Sequence, residues 1–331
     1  MKPLNRRAFC GSPLIAAGAW PLATLPARAQ TQPLELARIL IGFPAGSAAD
    51  AMARALARQL APTYARQVIV ENRTGAGGQI AATALKSAPA DGSTILFTPL
   101  AVVGVFPHTF RSLPYNVHTD FAPVTLGVRF DVALAVGTAV PGTVKTVPEF
   151  FAWAKANPSL ASVGSPAPGS PLHFTIAELA RLGNVELQHV PYRGTVAAIP
   201  DLISGTLPAT VSSLSEFVPH IPKGKIRVLG ISGGQRSPFA PQVATFSEQG
   251  LKGLEFEDYF GFYVPARTPA AQIQALNGAI RQGIVHPSVK EVIDASAAQA
   301  AAGTPEELTR TLGAYSGRWE AVVKGIGFKA E

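Results

Sequence analysis

The chain has 331 residues, 47% of them hydrophobic and 15% charged, with a formal net charge of +7. That length suffices for two medium-sized lobes, and no stretch reads as a disordered tract. No basic run with interleaved aromatic residues occurs, which argues against nucleic acid as a partner.

Much of the positive charge lies at the N-terminus. Residues 1–29 hold Lys2, Arg6, Arg7 and Arg28 and no acid, so their removal would leave +3. Arg6-Arg7-Ala8-Phe9 is followed by an apolar stretch from Pro13 to Leu25 and by Ala27-Arg28-Ala29. A cationic start, an apolar middle and a small-x-small end mark a signal peptide. Gly18, Pro21 and Pro26 interrupt the apolar stretch, which is too short to span a bilayer stably. The expectation is a signal peptide over residues 1–29, cleaved after Ala29, with export to the periplasm by the twin-arginine route. Cys10, the single cysteine, precedes the apolar stretch, so it does not read as a lipid anchor and would leave with the peptide. The mature chain then has no thiol chemistry. No second long apolar segment follows, and the mature protein is expected to be a soluble monomer.

Beyond residue 30, short β-branched runs alternate with helical patterns. Ala37–Phe43 reads as a strand. In Asp50–Ala61, Met52, Leu56 and Leu60 recur every four residues on one helical face, and Pro62 ends the helix. Gln67–Glu71 and Thr94–Thr98 read as strands, with a helix over Gln79–Ser87 between them. Val124–Val128 and Val132–Val136 form a longer strand-like stretch, where the chain is expected to cross into a second lobe. The alternation then restarts: helices over Val147–Ala156, Ser170–Leu182 and Val196–Ile203, and strands over Ser162–Gly164, Glu186–Val190, Ala209–Ser212 and Lys225–Ser232. Gly261–Pro265 reads as a return strand, followed by helices over Ala270–Val285, Ser288–Ala298 and Pro305–Lys324. Alternation of this kind predicts an α/β fold with a mostly parallel sheet covered by helices.

Three loops lie after a strand and before a helix, the end of an open α/β sheet where ligands bind. The backbone N–H groups that open a helix also favour an anion there. The first loop is Phe43-Pro44-Ala45-Gly46-Ser47-Ala48-Ala49-Asp50, in which Gly46 permits close backbone approach and Ser47 and Asp50 suit a helix cap. The second, Gly164 to His173, has Ser170 as the cap and Pro171 at the first helical position. His173 alone reads more readily as a satisfied imidazole than as a catalytic group. The third is Val190-Pro191-Tyr192-Arg193-Gly194-Thr195, whose Arg193 could hold a carboxylate as a forked pair, although a lone arginine is more often a solvated one.

These motifs are similar to those of the Bug-type (TctC-type) receptors, the extracytoplasmic solute-binding subunits of tripartite tricarboxylate transporters. The resemblance rests on nine segments in order: Phe43-Pro44…Gly46…Asp50, Glu71-Asn72-Arg73-Thr74-Gly75-Ala76-Gly77-Gly78, Pro89-Ala90-Asp91-Gly92, Asp120 to Val124, Gly169-Ser170-Pro171-x-His173, Val190 to Gly194, Gly224 to Arg227, Thr245-Phe246-x-Glu248-Gln249-Gly250, and Pro265-Ala266-x-Thr268-Pro269.

The resemblance implies a type II periplasmic-binding-protein fold of two lobes, each with a central mixed, mostly parallel sheet flanked by helices and a ligand cleft between them. Lobe 1 is expected over residues 30–127 plus 251–331 and lobe 2 over 128–250. The implied ligand is a small carboxylic acid: a dicarboxylate or tricarboxylate, an acidic amino acid or an aromatic acid. The implied partners are membrane transporter subunits. Phe43, Ala45, Gly46, Ser47 and Asp50 map onto the first-lobe side of the cleft, with Thr98 and Ala101 as further walls. Ser165, Ser170 and His173 map onto the second lobe, with Arg193, Gly194 and Thr195 beside them. The chain departs from the family pattern at Ala45, Ser47 and Ala49, and at Val211-Ser212, where the family often has Phe-Asp. The missing carboxylate shifts the expectation away from a ligand bearing an ammonium group.

No enzyme reading emerges. No nucleophile elbow of the Gly-x-Ser-x-Gly kind is expected, and the six histidines show no metal-ligand spacing. Gly75-Ala76-Gly77-Gly78 lacks the final small residue of a dinucleotide loop, since Ile80 stands there. Asp258 is a lone acidic candidate. No cofactor and no metal are expected. The alternative reading is a periplasmic sensor presenting its ligand-closed form to a signalling partner.

Overall fold

The computed structural model describes residues 33–330; the expected signal peptide lies outside them. The chain opens with β1 (Leu34–Ile41), α1 (Ala48–Leu60), β2 (Ala65–Asn72), α2 (Gln79–Lys86) and β3 (Thr94–Pro99), then two short helices, α3 (Leu100–Gly104) and α4 (Phe106–Thr109). Next come β4 (Phe121–Phe130), β5 (Val132–Val136), α5 (Val147–Ala156), β6 (Ser162–Ser165), α6 (Pro171–Gly183), β7 (Gln188–Pro191), α7 (Thr195–Ser204), β8 (Ala209–Ser213) and β9 (Arg227–Ile231). The chain closes with β10 (Asp258–Pro265), α8 (Ala270–Ile284), α9 (Pro287–Ala295), β11 (Ala298–Ala300) and α10 (Pro305–Ile326).

The strands form two sheets, in the orders β11-β4-β10-β3-β1-β2 and β7-β6-β8-β5-β9. Residue alternation decides which face each side chain takes. On β1, Ala37, Ile39 and Ile41 point into a core shared with α1, α8 and α9, while Leu40 points into the opposite core. The same split recurs on β3 (Ile95 and Phe97 against Leu96) and on β10 (Phe262 and Val264 against Tyr263). In the second sheet, Ala133 and Ala135 pack with α7, and Val132, Leu134 and Val136 pack with α5 and α6. Both faces of each sheet are therefore covered, as a parallel α/β core requires.

Strand direction is more mixed than the alternation predicts. β1 runs parallel to β2 and β3, and β6 runs parallel to β7 and β8. The other pairings, β3–β10, β10–β4, β4–β11, β5–β8 and β5–β9, are antiparallel. The two-lobed α/β architecture with mixed sheets stands: β10 and β11 run against the other strands of the first sheet, and β5 against the other strands of the second. β5 and β10 are the strands on which the chain enters one sheet from the other, and no helical crossover within the same sheet precedes either to fix a parallel direction; β11 follows α8 and α9 and runs in the direction of β10. One crossing is Asp131, between β4 and β5; the other is the segment from β9 to β10.

The expected helix over Ser288–Ala298 is corrected. It stops at Ala295, and Ala297 takes a φ of +45°, a left-handed conformation that ends helical propagation. Ala298–Ala300 then pairs with Phe130–Val128 as an edge strand.

The C-terminal helix joins the lobes. α10 has a capping box of Thr304 and Glu307 at its start. Its Trp319 is fully buried, 6.2 Å from the Phe174 ring on α6 and 5.0 Å from Phe256. Tyr315, one turn earlier, donates from its hydroxyl to Asp258 Oδ1 at 2.7 Å. Burial pushes the Asp258 carboxyl up to about 6, although the Tyr315 and Tyr259 donors pull the other way. The folded state therefore holds the Asp258 proton more tightly than the unfolded chain does. This contribution is greatest in acid and is lost as pH rises from about 4 to about 6. Asp258→Asn should remove it. The stability difference between variant and parent, from denaturant midpoints, is expected to change by about 3 kcal/mol between pH 4 and pH 7; an unchanged difference would refute the assignment.

Candidate functional site

The carboxyl ends of β1 and β3 mark a switch point in the first sheet. From β1 the chain moves through α1 to β2 on one side, and from β2 through α2 to β3 on the other. A crevice opens outside the strands at such a point. At this point backbone packs on backbone. A Cβ on Gly42 would lie 2.6 Å from the Gly78 Cα, so neither β1 nor the glycine loop before α2 tolerates a side chain there.

The first loop is shaped by Asp50. Its carboxylate, on a residue 4% exposed, accepts from Gly46 N–H at 3.0 Å, Asn72 Nδ2 at 2.9 Å and Arg54 Nε at 3.0 Å. Asn72 Nδ2 also donates to the Phe43 carbonyl at 3.0 Å. Burial would raise the Asp50 carboxyl, but the donors on Arg54, Gly46 and Asn72 outweigh it and hold it below the ordinary carboxylate value. Asp50 thus acts as a strut, with its oxygens already engaged. Ser47 caps α1, accepting from Asp50 N–H at 3.3 Å. Gly46 has a φ of +82°, which a side chain would strain. Ala45 and Gly46 are exposed at the loop tip, and Phe43 packs 5.6 Å from the Phe260 ring. Thr98 and Ala101 are 1% and 5% exposed. The Thr98 hydroxyl has no hydrogen-bond partner among the described residues and faces Gly78.

In the second sheet β6, β7 and β8 end together, and α6 and α7 begin beside them. Ser170 occupies the cap position of α6, as expected, but its hydroxyl donates to the Ala167 carbonyl at 2.6 Å and makes no cap bond. Gly194, with a φ of +94°, opens α7 without a side-chain cap. Both helices therefore start with amides that no cap side chain satisfies. Thr195 is hydrogen-bonded to Ser212, both buried. Tyr192 braces the intervening turn: its amide donates to the Ser165 carbonyl at 2.9 Å and its hydroxyl to Asp201 at 2.7 Å. Arg193 is exposed and pairs with no carboxylate among the described residues.

Ser165 is fully buried, 2.8 Å from His189 Nε2. His189 stacks on His173 with ring centroids 4.0 Å apart. Burial, and secondarily His189, pushes His173 down to about 4; burial lowers His189 as well. Both imidazoles are neutral near pH 7.

The predicted residues thus fall into two groups. Ala45, Gly46, Arg193 and, in part, Phe43, Ser47, His173 and Gly194 reach solvent; Asp50, Thr98, Ala101, Ser165, Ser170 and Thr195 lie within the walls. Sequence reasoning missed Asn72, Arg54 and His189. Asn72 stood within a quoted motif, but its role depends on β2 pairing with β1, which sets it opposite Ile41. Gly230-Ile231-Ser232-Gly233-Gly234 does match the elbow spacing, contrary to expectation. Ser232, however, is fully buried, accepts from Val132 N–H at 3.0 Å and is followed by no helix, so it is no nucleophile. Asp258 is bound to Tyr315 in the core. Among the described residues, no group of three or more His, Cys, Asp or Glu could hold a metal.

The family described as "Tripartite tricarboxylate transporter family receptor" matches residues 52–328. The protein BugT of Bordetella pertussis (strain Tohama I) is 31% identical over 310 residues, covering 92% of this chain and 93% of its own. A solved R. palustris protein with adipate superposes with a TM-score of 0.83 at 28% identity, covering 89% of this chain and 98% of its own. MatC from Rhodopseudomonas palustris, with bound malate, superposes with a TM-score of 0.78 at 28% identity, covering 87% and 98%.

Removing the strut should be costly. Asp50→Ala strips Gly46, Asn72 and Arg54 of a shared acceptor and is expected to destabilise by about 2–3 kcal/mol. Gly46→Ala meets no steric clash and should cost only ~1 kcal/mol through its backbone conformation. Chemical denaturation of both variants checks the order, and equal costs would contradict it.

Proposed function

The chain belongs to the tripartite tricarboxylate transporter receptor family, and on that premise we propose that it captures a small carboxylic acid in the periplasm and hands it to membrane transporter subunits. A member of this family is a binding receptor, not an enzyme. The observation that carries the reading is that helices start at the carboxyl ends of strands in both sheets: α1 after β1 in the first, α6 after β6 and α7 after β7 in the second. Each offers backbone N–H groups and the positive end of a helix dipole to an anion. The loop from Phe43 to Asp50 holds no Lys or Arg, so amides rather than cations hold the ligand on that side. Arg193 supplies the one exposed cation among the predicted site residues. The adipate and malate in the two solved relatives belong to this chemical class.

Capture works by closure about the two crossings. A ligand that touches α1 alone gains half its contacts. The closed form gains those of α6 and α7 as well, so binding shifts the population toward closure. Among the described residues no helix is long and apolar enough to cross a membrane.

A thermal-shift screen of dicarboxylic, tricarboxylic, aromatic and acidic amino acids tests the reading. A ligand at about a hundredfold its Kd adds roughly 3 kcal/mol and raises the Tm by several degrees. Arg193→Ala should weaken the best acid about tenfold; unchanged affinity would remove Arg193 from the site. Export predicts that periplasmic protein begins at Gln30 by intact mass, and an intact Met1 start would refute it.

A further inference from the structure

His173 and His189 come from different elements, the head of α6 and the strand β7, and their rings stack at 4.0 Å with planes 24° apart. One nitrogen of each ring is already engaged. The Gly169 amide donates to His173 Nδ1 at 3.2 Å. An amide N–H only donates, so that nitrogen carries a lone pair and the ring proton sits on Nε2. On His189 it is Nε2 that is engaged, 2.8 Å from Ser165 Oγ. Ser165 is fully buried, and its hydroxyl proton is satisfied only if it is donated to an acceptor. His189 is its hydrogen-bond partner among the described residues; with Ser165 donating to Nε2, the His189 proton sits on Nδ1.

We propose that His189 is a second histidine of the anion site, and that it and His173 form an uncharged pair offering one N–H each, Nδ1 of His189 and Nε2 of His173, to a ligand oxygen. This rests on the reading of the cleft as an anion receptor.

The surroundings keep the pair neutral. Ser165 from β6, the Gly169 amide, Phe174 from α6 and the edge of Phe328 from the C-terminal tail are all uncharged. Charged groups on the neighbouring elements are engaged elsewhere: Glu178 with Arg181, and Lys329 with the His108 carbonyl. His108 itself bonds to Ser316, and Arg193 is exposed on the turn after β7. Protonating either ring would place a charge against its stacked neighbour. It would also set a proton against the Gly169 amide or the Ser165 hydroxyl. An uncharged donor pair binds an oxygen anion without a fixed counter-charge, so affinity should not follow the titration of a free histidine.

Long-range proton–nitrogen NMR of the ligand-free protein is the first test. The expected result is opposite tautomers, His173 as Nε2–H and His189 as Nδ1–H, with neither ring protonating between pH 8 and pH 6. His189 found as Nε2–H, or either ring charged at pH 6, overturns the inference. Succinate, malate, adipate and citrate are then titrated. An acid that binds should move both N–H resonances and keep its Kd within about twofold from pH 8 to pH 6. His189→Phe retains a ring but no donor and should weaken that acid roughly ten- to hundredfold. Ser165→Ala, which frees the His189 tautomer, should weaken it less. If His189→Phe fails to fold, the wild-type tautomers decide. An acid that binds without moving either ring overturns the inference and leaves the receptor reading intact. No response to any carboxylic acid overturns that reading and the inference with it.

Discussion

Asp50 receives donors from three directions: Gly46 in its own loop, Arg54 one turn along its own helix, and Asn72 on the neighbouring strand. Each bond ties a different piece of chain to one carboxylate, so the end of β1, the start of α1 and the end of β2 cannot shift independently. The Arg54 guanidinium also balances the charge of Asp50. What the first lobe then turns toward the cleft is a helix start without net side-chain charge. On the proposed reading, an anion there would meet backbone dipoles that were oriented when the chain folded, with little further reorganisation on binding.

The second lobe reaches the same end differently. α1 spends one of its amides on the Ser47 cap, whereas α6 and α7 begin without a side-chain cap because Ser170 closes its own turn and Gly194 has no side chain. Unsatisfied amides at a helix start are tolerable where water or a ligand can reach them. The two walls therefore differ in character: one is internally braced, the other holds donors in reserve. Neutral donors of this kind select by geometry more than by charge, because bonds of fixed direction reward an oxygen only where it falls in line.

Much of this was legible in the sequence. Strand and helix alternation placed nearly every element within a few residues, since the apolar period of each segment is local information. The three strand-to-helix loops emerged for the same reason. What stayed hidden depends on partners far along the chain. The antiparallel direction of β10 follows from its return out of the second sheet, and the strand β11 exists only because Phe130 offers it an edge. The family resemblance puts Ser165 and Thr98 on the cleft walls, yet a motif does not say whether a neighbour covers the side chain. His189 reads as any strand histidine until β6 and α6 bring Ser165 and His173 to its two sides.

The packing of Trp319 and Phe328 adds a constraint on movement. Both belong to the C-terminal stretch that lies against β4 and α3 of the first lobe, yet their rings meet Phe174 and His173 of the second. A lobe joined only by two strand crossings would be free to swing and twist in many directions. The aromatic contact between α6 and the C-terminal stretch adds a third tie between the lobes beside those crossings, so fewer directions of movement stay open. His173, one of the residues proposed for the anion site, touches the Phe328 ring in that contact, so the tie between the lobes and the proposed grip share one helix turn.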